Sequence, residues 1–319
     1  MRSRHAVIVA GPTASGKSAL AARLAERIGG AVINADAMQL YRELRILTAR
    51  PTHEEEQRLP HRLYGVRPAA DPASAAWWRE AAEGAMAEAA SAGCIPLLCG
   101  GSGMYLDALV NGLSRLPPPS PEARGEARAL LAALGPAGLH ARLAEVDPAT
   151  AERLHPGDSQ RLARAYEVWR ATGRGLTDWQ ATERPERSRW RFCAILLDPP
   201  RAALRGAIAD RFAAMLEAGA LEEARALAAL GLDPALPAMR AHGVPELSAH
   251  LAGRLTREAA AARAVLVTGQ YAKRQATWFR HHGLADPVRT HRIYAQMWGE
   301  TKLEEKDIAD LATFVLEPG

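Results

Sequence analysis

The sequence predicts an α/β protein in which a parallel sheet is flanked by helices and an all-helical insertion interrupts the core. Three observations predict it. Short apolar runs alternate with stretches of helical period, the pattern of a doubly wound sheet. The first apolar run leads directly into GPTASGKS, a glycine loop of phosphate-binding spacing. LPPPSP, at 116–121, then breaks the alternation, and no strand pattern returns until residue 190.

Taken in order, AVIVA (6–10) reads as a strand and Ser18 to Ile28 as a helix stopped by Gly29-Gly30. AVIN (31–34) reads as a second strand. The alanine-rich stretch from Ala75 to Ala92 reads as a helix ended by Gly93. IPLLC (95–99) and WRFCAILLD (190–198) read as buried strands. Three consecutive prolines make a stiff spacer, and helical patterns fill the chain from there to about Gln180. The expected organisation is a discontinuous P-loop NTPase-like core, 1–117 and 185–319, around a helical insertion, 118–184. From Arg201 onward the tail reads as helical apart from a turn at LDPALP (232–237), and its last stretch, from Gly299, as a loosely attached helix.

The chain has 319 residues, 48% of them hydrophobic and 24% charged, so it can bury a core without aromatic help; aromatics are only 5%. A formal charge of +4 permits a polyanionic partner without requiring one. Cys94, Cys99 and Cys193 lack zinc spacing, and Cys94 and Cys99 read as small buried hydrophobes. Their odd number fits a reducing cytoplasm. No signal peptide and no membrane helix are expected: AVIVA is too short, and no apolar run approaches 18 residues.

Gly11, Gly16, Lys17 and Ser18 satisfy the G-x-x-x-x-G-K-[ST] spacing. Backbone N–H groups of Pro12-flanked residues Thr13, Ala14 and Ser15 can curl around a phosphate, the helix N-terminus adds its dipole, Lys17 supplies a cation and Ser18 a ligand for Mg²⁺. Ligands of a doubly wound sheet sit at the carboxyl ends of its strands. NADAMQLY follows the second strand and brings Asp36 and Gln39 there; GGSGMY follows IPLLC and brings Ser102. Asp36 reads equally as a general base, a carboxylate behind Mg²⁺, or a cap for the next helix. Gln39 has the donor–acceptor pair that reads an adenine edge, although a polar side chain facing water is the reading its position alone favours. AILLD ends in Asp198, a weak Walker B pattern. In DSQRLARAYEVWR (158–170), Leu162, Tyr166 and Trp169 form a seam with Gln160, Arg161 and Arg164 on other faces. In GQYAKRQATWFRHH (269–282), Val267, Tyr271 and Trp278 suit one seam while Lys273, Arg274, Arg280, His281 and His282 make a basic surface. Six Lys/Arg stand against one acid between 259 and 292, which suits either an RNA backbone or a solvated helix face.

Together these motifs resemble the tRNA dimethylallyltransferase family. The resemblance rests on GPTASGKS, INADAMQLY, TARPTHEE, PHRLYGV, GGSGMYL, EVDPATAERLHPGDSQRLARAYEV, DRFAAMLEAGALEEA and YAKRQATWFR, in that order, and spans nearly all of the chain to about His282. It implies that the loop holds dimethylallyl diphosphate with Mg²⁺ rather than an NTP, and that an adenine amine beside the tRNA anticodon attacks the allylic carbon. It implies Asp36 as general base, Lys17, Ser102 and Arg211 at the reacting groups, and Asp36, Ala37, Met38, Gln39 and Ser102 around an extruded base. It further implies contacts to the anticodon stem-loop from Arg124, from Gln160, Arg161, Leu162, Ala163 and Arg164, and from Lys273, Arg274 and Arg280. A channel between core and insertion is then expected, with the cradle and Asp36 opening onto one cavity wide enough for a purine. A monomer without an obligate protein partner is implied. Ala37, Gly157, Val244 and Gly269 depart from the family's usual serine, asparagine, aromatic residue and arginine. The competing reading is a P-loop kinase of a small metabolite, which needs ATP turnover and no basic helix.

Overall fold

The computed structural model describes residues 4–114, 116–182, 185–295 and 304–317. Two compact units result: the first is built from the chain up to Val110 and from Ser188 onward, and the second from 111–187, somewhat wider at both ends than the insertion read from the prolines.

The first unit carries a six-stranded sheet. In chain order its elements are β1 (His5–Ala10), α1 (Lys17–Ile28), β2 (Gly30–Asn34), α2 (His53–Arg58), β3 (His61–Arg62), α3 (Ala75–Ser91), β4 (Ile95–Gly100) and α4 (Gly103–Asn111). The second unit contributes α5 (Pro121–Val146), α6 (Pro148–Arg153), α7 (Ser159–Thr172) and α8 (Leu176–Thr182). The first unit resumes with β5 (Arg191–Leu197), α9 (Arg201–Glu217), α10 (Ala220–Ala229), α11 (Val244–Leu251), α12 (Arg257–His281), β6 (Thr290–Ile293) and α13 (Glu305–Leu316). All strand pairs are parallel, in the order β3-β2-β4-β1-β5-β6. β1 is central and buried on both faces, which is why HAVIVA is a continuous apolar run rather than an alternating one. Val7, Val9, Leu97 and Ile195 pack on one side with α1, and Ile8, Leu98, Ala194 and Trp78 on the other.

Three expectations need correction. The tail is not wholly helical: β6 adds an edge strand, and β3, only two residues long, adds the opposite edge. Neither has an apolar run, because a parallel edge strand takes its stability from one neighbour and the packing around it. The last helix is not loosely attached: Ile308, Leu311, Ala312 and Val315 recur at helical spacing and are buried in the cluster that contains α1. Residues 299–303 and 318–319 of that stretch lie outside the described residues. Cys94 is half-buried, whereas Cys99 and Cys193 are buried.

In the second unit, Leu139, Leu143, Leu162, Ala165 and Tyr166 form its own core, and α5 is interrupted at Gly135. No described helix is long and apolar enough to cross a membrane.

Candidate active site

The ends of β1, β2 and β4 meet at one edge of the sheet. The loop after β1 is shaped by backbone. Ala14 and Gly16 have positive φ, 63° and 87°; Gly16 takes that conformation without the strain a side chain brings. Two of the expected cradle donors are committed within the protein, the Thr13 N–H to the Gln275 side chain at 2.8 Å and the Ser15 N–H to the Pro12 carbonyl at 3.3 Å. Ser15 is fully buried and its hydroxyl has no hydrogen-bond partner, an unmet polar group inside the loop. The Lys17 ammonium lies 3.4 Å from the Pro12 carbonyl. Burial lowers its pKa from the ordinary 10.5, and the Asp36 carboxylate partly restores it. Burial also lowers that of Arg211, again offset by Asp36. Arg211 projects from α9 and donates to the Thr13 hydroxyl at 2.6 Å.

Asp36 follows β2 and is fixed by Asn34, whose buried amide accepts the Asp36 N–H at 2.8 Å and donates to the Asp36 and Leu63 carbonyls. One carboxylate oxygen of Asp36 accepts the Met38 N–H at 2.9 Å, so the capping role is real. The other has no hydrogen bond among the described residues and is left for chemistry. Ser102, after β4, accepts the Ala37 N–H at 2.9 Å, so it ties the two strand ends together. Tyr271, on α12, brings a phenol into reach of the Ser102 and Gln275 side chains; burial raises it to about 12.

A cavity of about 510 Å³ adjoins the loop, walled by Gly16, Lys17, Ser18 and Arg211 and by Arg50, Leu59 and Tyr64. Asp36 does not line it. Asp36 nevertheless acts electrostatically on the two cations at the cradle, Lys17 and Arg211. Cys99 lies beneath the loop, hydrogen-bonded to Ser18, and burial pushes its thiol up to about 11 against the opposing effect of Lys17.

Other expected site residues fare differently. Gln39 spends its amide donors on the Thr48 and Ala49 carbonyls, at 2.8 and 3.0 Å, and so braces a loop rather than offering them to a base. Asp198 is the bidentate partner of Arg280, at 2.7 and 2.8 Å, and not a Walker B carboxylate; Arg280 is correspondingly committed. Lys273 and Arg274 are exposed on α12. The buried seam of that helix is Ala260, Ala264, Thr268, Ala272, Gln275 and Phe279; Val267, Tyr271 and Trp278 flank it. Small residues define the seam because α9 and the strand ends approach closely, which the aromatic positions concealed. In the second unit Arg124, Gln160 and Arg161 are exposed, and Arg161 and Arg164 sit 3.5 and 3.4 Å from Asp158 and Glu167. Leu162 is fully buried in that unit's core, so its side chain cannot meet RNA; Ala163 is half-buried. Among the departures, Val244 is buried against Leu247 and Phe212, whereas an added side chain at Gly269 would meet open space.

Gln275 was missed by sequence reasoning. The available signal was a polar residue at a position that the 268, 272, 275, 279 spacing assigns to the buried stripe. Among the described residues no group of three or more His, Cys, Asp or Glu is placed to hold a metal ion.

The family model described as IPP transferase matches residues 39–282, and one described as isopentenyl transferase matches residues 4–67. The tRNA dimethylallyltransferase of Granulibacter bethesdensis is 56% identical over 315 residues, covering 99% of both chains. That of Acidiphilium cryptum is 56% identical over 313 residues, covering 98% of this chain and 95% of the other. Among solved structures, the full-length tRNA isopentenylpyrophosphate transferase of Bacillus halodurans is 29% identical with a TM-score of 0.69, covering 98% of this chain and 95% of that one. A eukaryotic dimethylallyltransferase described as acting on tRNA is 26% identical with a TM-score of 0.73, covering 87% and 70%.

Proposed function

The chain belongs to the IPP transferase family, and from that premise we propose that it transfers the dimethylallyl group of dimethylallyl diphosphate to N6 of adenosine 37, beside the anticodon of tRNA. The C1–O bond to diphosphate breaks, the N6–C1 bond forms, and the amine proton passes to the Asp36 carboxylate. The observation that carries this reading is the acid at the end of β2 acting on two half-buried cations, Lys17 of the phosphate loop and Arg211 of α9, which reaches the loop through Thr13.

The N-terminus of α1, Lys17 and Arg211 meet the negative charge that grows on the departing oxygen. Because burial weakens solvent screening, each of these interactions is stronger than it would be at the surface. The apolar wall of the cavity, with Leu59, Val32 and Ala22, suits a short hydrocarbon chain beside a diphosphate. Mg²⁺ belongs to the same reading: Ser18 would hold it together with diphosphate oxygens, where it supplies further charge neutralisation. The unmet hydroxyl of Ser15 and the scarcity of nearby carboxylates fit an ion that brings most of its ligands with the substrate. The base must leave its stack to reach Asp36. The exposed Lys273 and Arg274, with Arg124, Gln160, Arg161 and Arg164 of the second unit, are the groups we assign to the anticodon stem-loop. Kinase chemistry finds no support, since Asp198 is held by Arg280 and the curated relatives are prenyltransferases by name.

The test is to mix the protein with unmodified tRNA, Mg²⁺ and labelled dimethylallyl diphosphate. Label should appear in the RNA on adenosine 37; label that stays in the small-molecule fraction, with ADP formed from ATP and a small acceptor, would overturn the proposal.

A further inference from the structure

Gln275 is only 5% exposed, on the buried seam of α12 between Ala272 and Phe279. Both ends of its amide are in use, on two different strand ends. Its Oε1 accepts the Thr13 N–H at 2.8 Å, and its Nε2 donates to the Gly101 carbonyl at 2.8 Å. Thr13 belongs to the phosphate loop, and its hydroxyl accepts from Arg211. Gly101 precedes Ser102, whose hydroxyl accepts the Ala37 N–H next to Asp36. A continuous chain of interactions therefore runs from Arg211 through Thr13, Gln275 and the Gly101-Ser102 peptide to Ala37. A side chain at position 101 would bring its Cβ within 2.2 Å of Nε2, so a glycine is what lets the amide come this close.

We propose that Gln275 is a positioning residue that couples the diphosphate cradle to the turn carrying Asp36, so that filling the cradle improves the binding of RNA at the acid. The inference rests on the prenyl-transfer reading. An amide suits this place because one end must accept and the other donate. A carboxylate at the same position can accept from Thr13 but cannot donate to Gly101, and a shorter amide cannot reach both. A buried backbone group left without its partner is costly, so the arrangement at one end constrains the other. Coupling of this kind is reciprocal: diphosphate must favour RNA by the factor by which RNA favours diphosphate.

The experiment measures the dissociation constant of an unmodified anticodon stem-loop RNA on the full chain, with and without inorganic diphosphate and Mg²⁺. In the parent, diphosphate should tighten RNA binding by about 5-fold or more, the low end of ordinary coupling between sites. In Gln275→Glu and Gln275→Asn, each ligand alone should bind within about 3-fold of the parent while the ratio falls to about 1, a change that loss of stability alone would not produce. Gly101→Ala pushes on the same amide from the other side and should lose the ratio too, which keeps the test decisive if a Gln275 variant folds poorly. A parent without coupling, or variants that keep the parent's ratio, would overturn the inference. Label transfer by the parent is scored separately, so either result leaves the prenyl-transfer reading judged on its own assay.

Discussion

The phosphate loop and the α7 segment were both expected to touch substrate, yet they are built in opposite ways. At the loop the binding groups are the N-terminal N–H donors of α1 and two half-buried cations, Lys17 and the α9 residue Arg211, the latter held by its hydrogen bond to Thr13. In α7 the candidate groups are arginines at the surface, each already beside an acid of its own helix, Asp158 or Glu167. The loop is prepared before its ligand arrives; α7 must exchange weak local ion pairs for RNA phosphates. Preorganised, desolvated groups should therefore carry the chemistry, and the solvated ones should set affinity and salt dependence.

That contrast orders the expected effects. Lys17→Met should lower single-turnover transfer by about 100-fold or more, the scale of losing one donor to a developing oxyanion. The same change should raise the melting temperature at neutral pH. The sign follows from burial: the folded state holds this ammonium below the ordinary 10.5, so the unfolded chain binds the proton better and the parent gains stability as pH rises through the interval up to 10.5. The stabilising effect of the methionine should accordingly shrink toward the top of that interval. A variant with unchanged melting temperature at pH 7 would mean that the lysine is not strained by burial. Leu162→Ala should cost about 2–5 kcal/mol of stability in chemical denaturation, as a cavity in the second unit's core, with no change in the salt slope of RNA binding. A changed slope would put this side chain at the RNA instead. Lys273→Ala with Arg274→Ala should weaken tRNA binding uniformly and reduce the salt slope by about 2, one for each phosphate deprived of its cation. Arg280→Ala should change the slope less than either, because its guanidinium is bound to Asp198. Smallest of all, Arg161→Ala should shift stability by no more than about 1 kcal/mol, since its pair with Asp158 is exposed. A larger loss would show that α7 is as prepared as the loop.

The same contrast explains what could be read in advance. The glycine loop was legible because its function lies in backbone shape and residue spacing, which the sequence displays directly. β1, β2, β4 and β5 were legible because strands buried on both faces are continuous apolar runs. β3 and β6 were not, because short edge strands carry no such run. α13 was legible as a helix, but its firm attachment was hidden by its charged residues, although Ile308, Leu311, Ala312 and Val315 already stood at helical spacing. The seam of α12 was misplaced by taking its aromatics as the inward residues; close packing at a crowded strand edge selects alanine and threonine instead. Side-chain partners were the least legible feature. Gln39 and Asp198 look available in sequence, yet each is claimed by groups that only folding brings near. Gln275 looks like one polar residue among several in YAKRQ, and its importance rests on two acceptor and donor sites more than 170 residues away.

The central claim is that the carboxylate of Asp36 takes the proton while the phosphate loop holds the leaving group. Single-turnover transfer from dimethylallyl diphosphate to tRNA, with Asp36→Asn compared with the parent at saturating concentrations of both substrates, tests it most directly. The account predicts a loss of about 100-fold or more in the chemical step with both substrates still bound; an unchanged rate would contradict it.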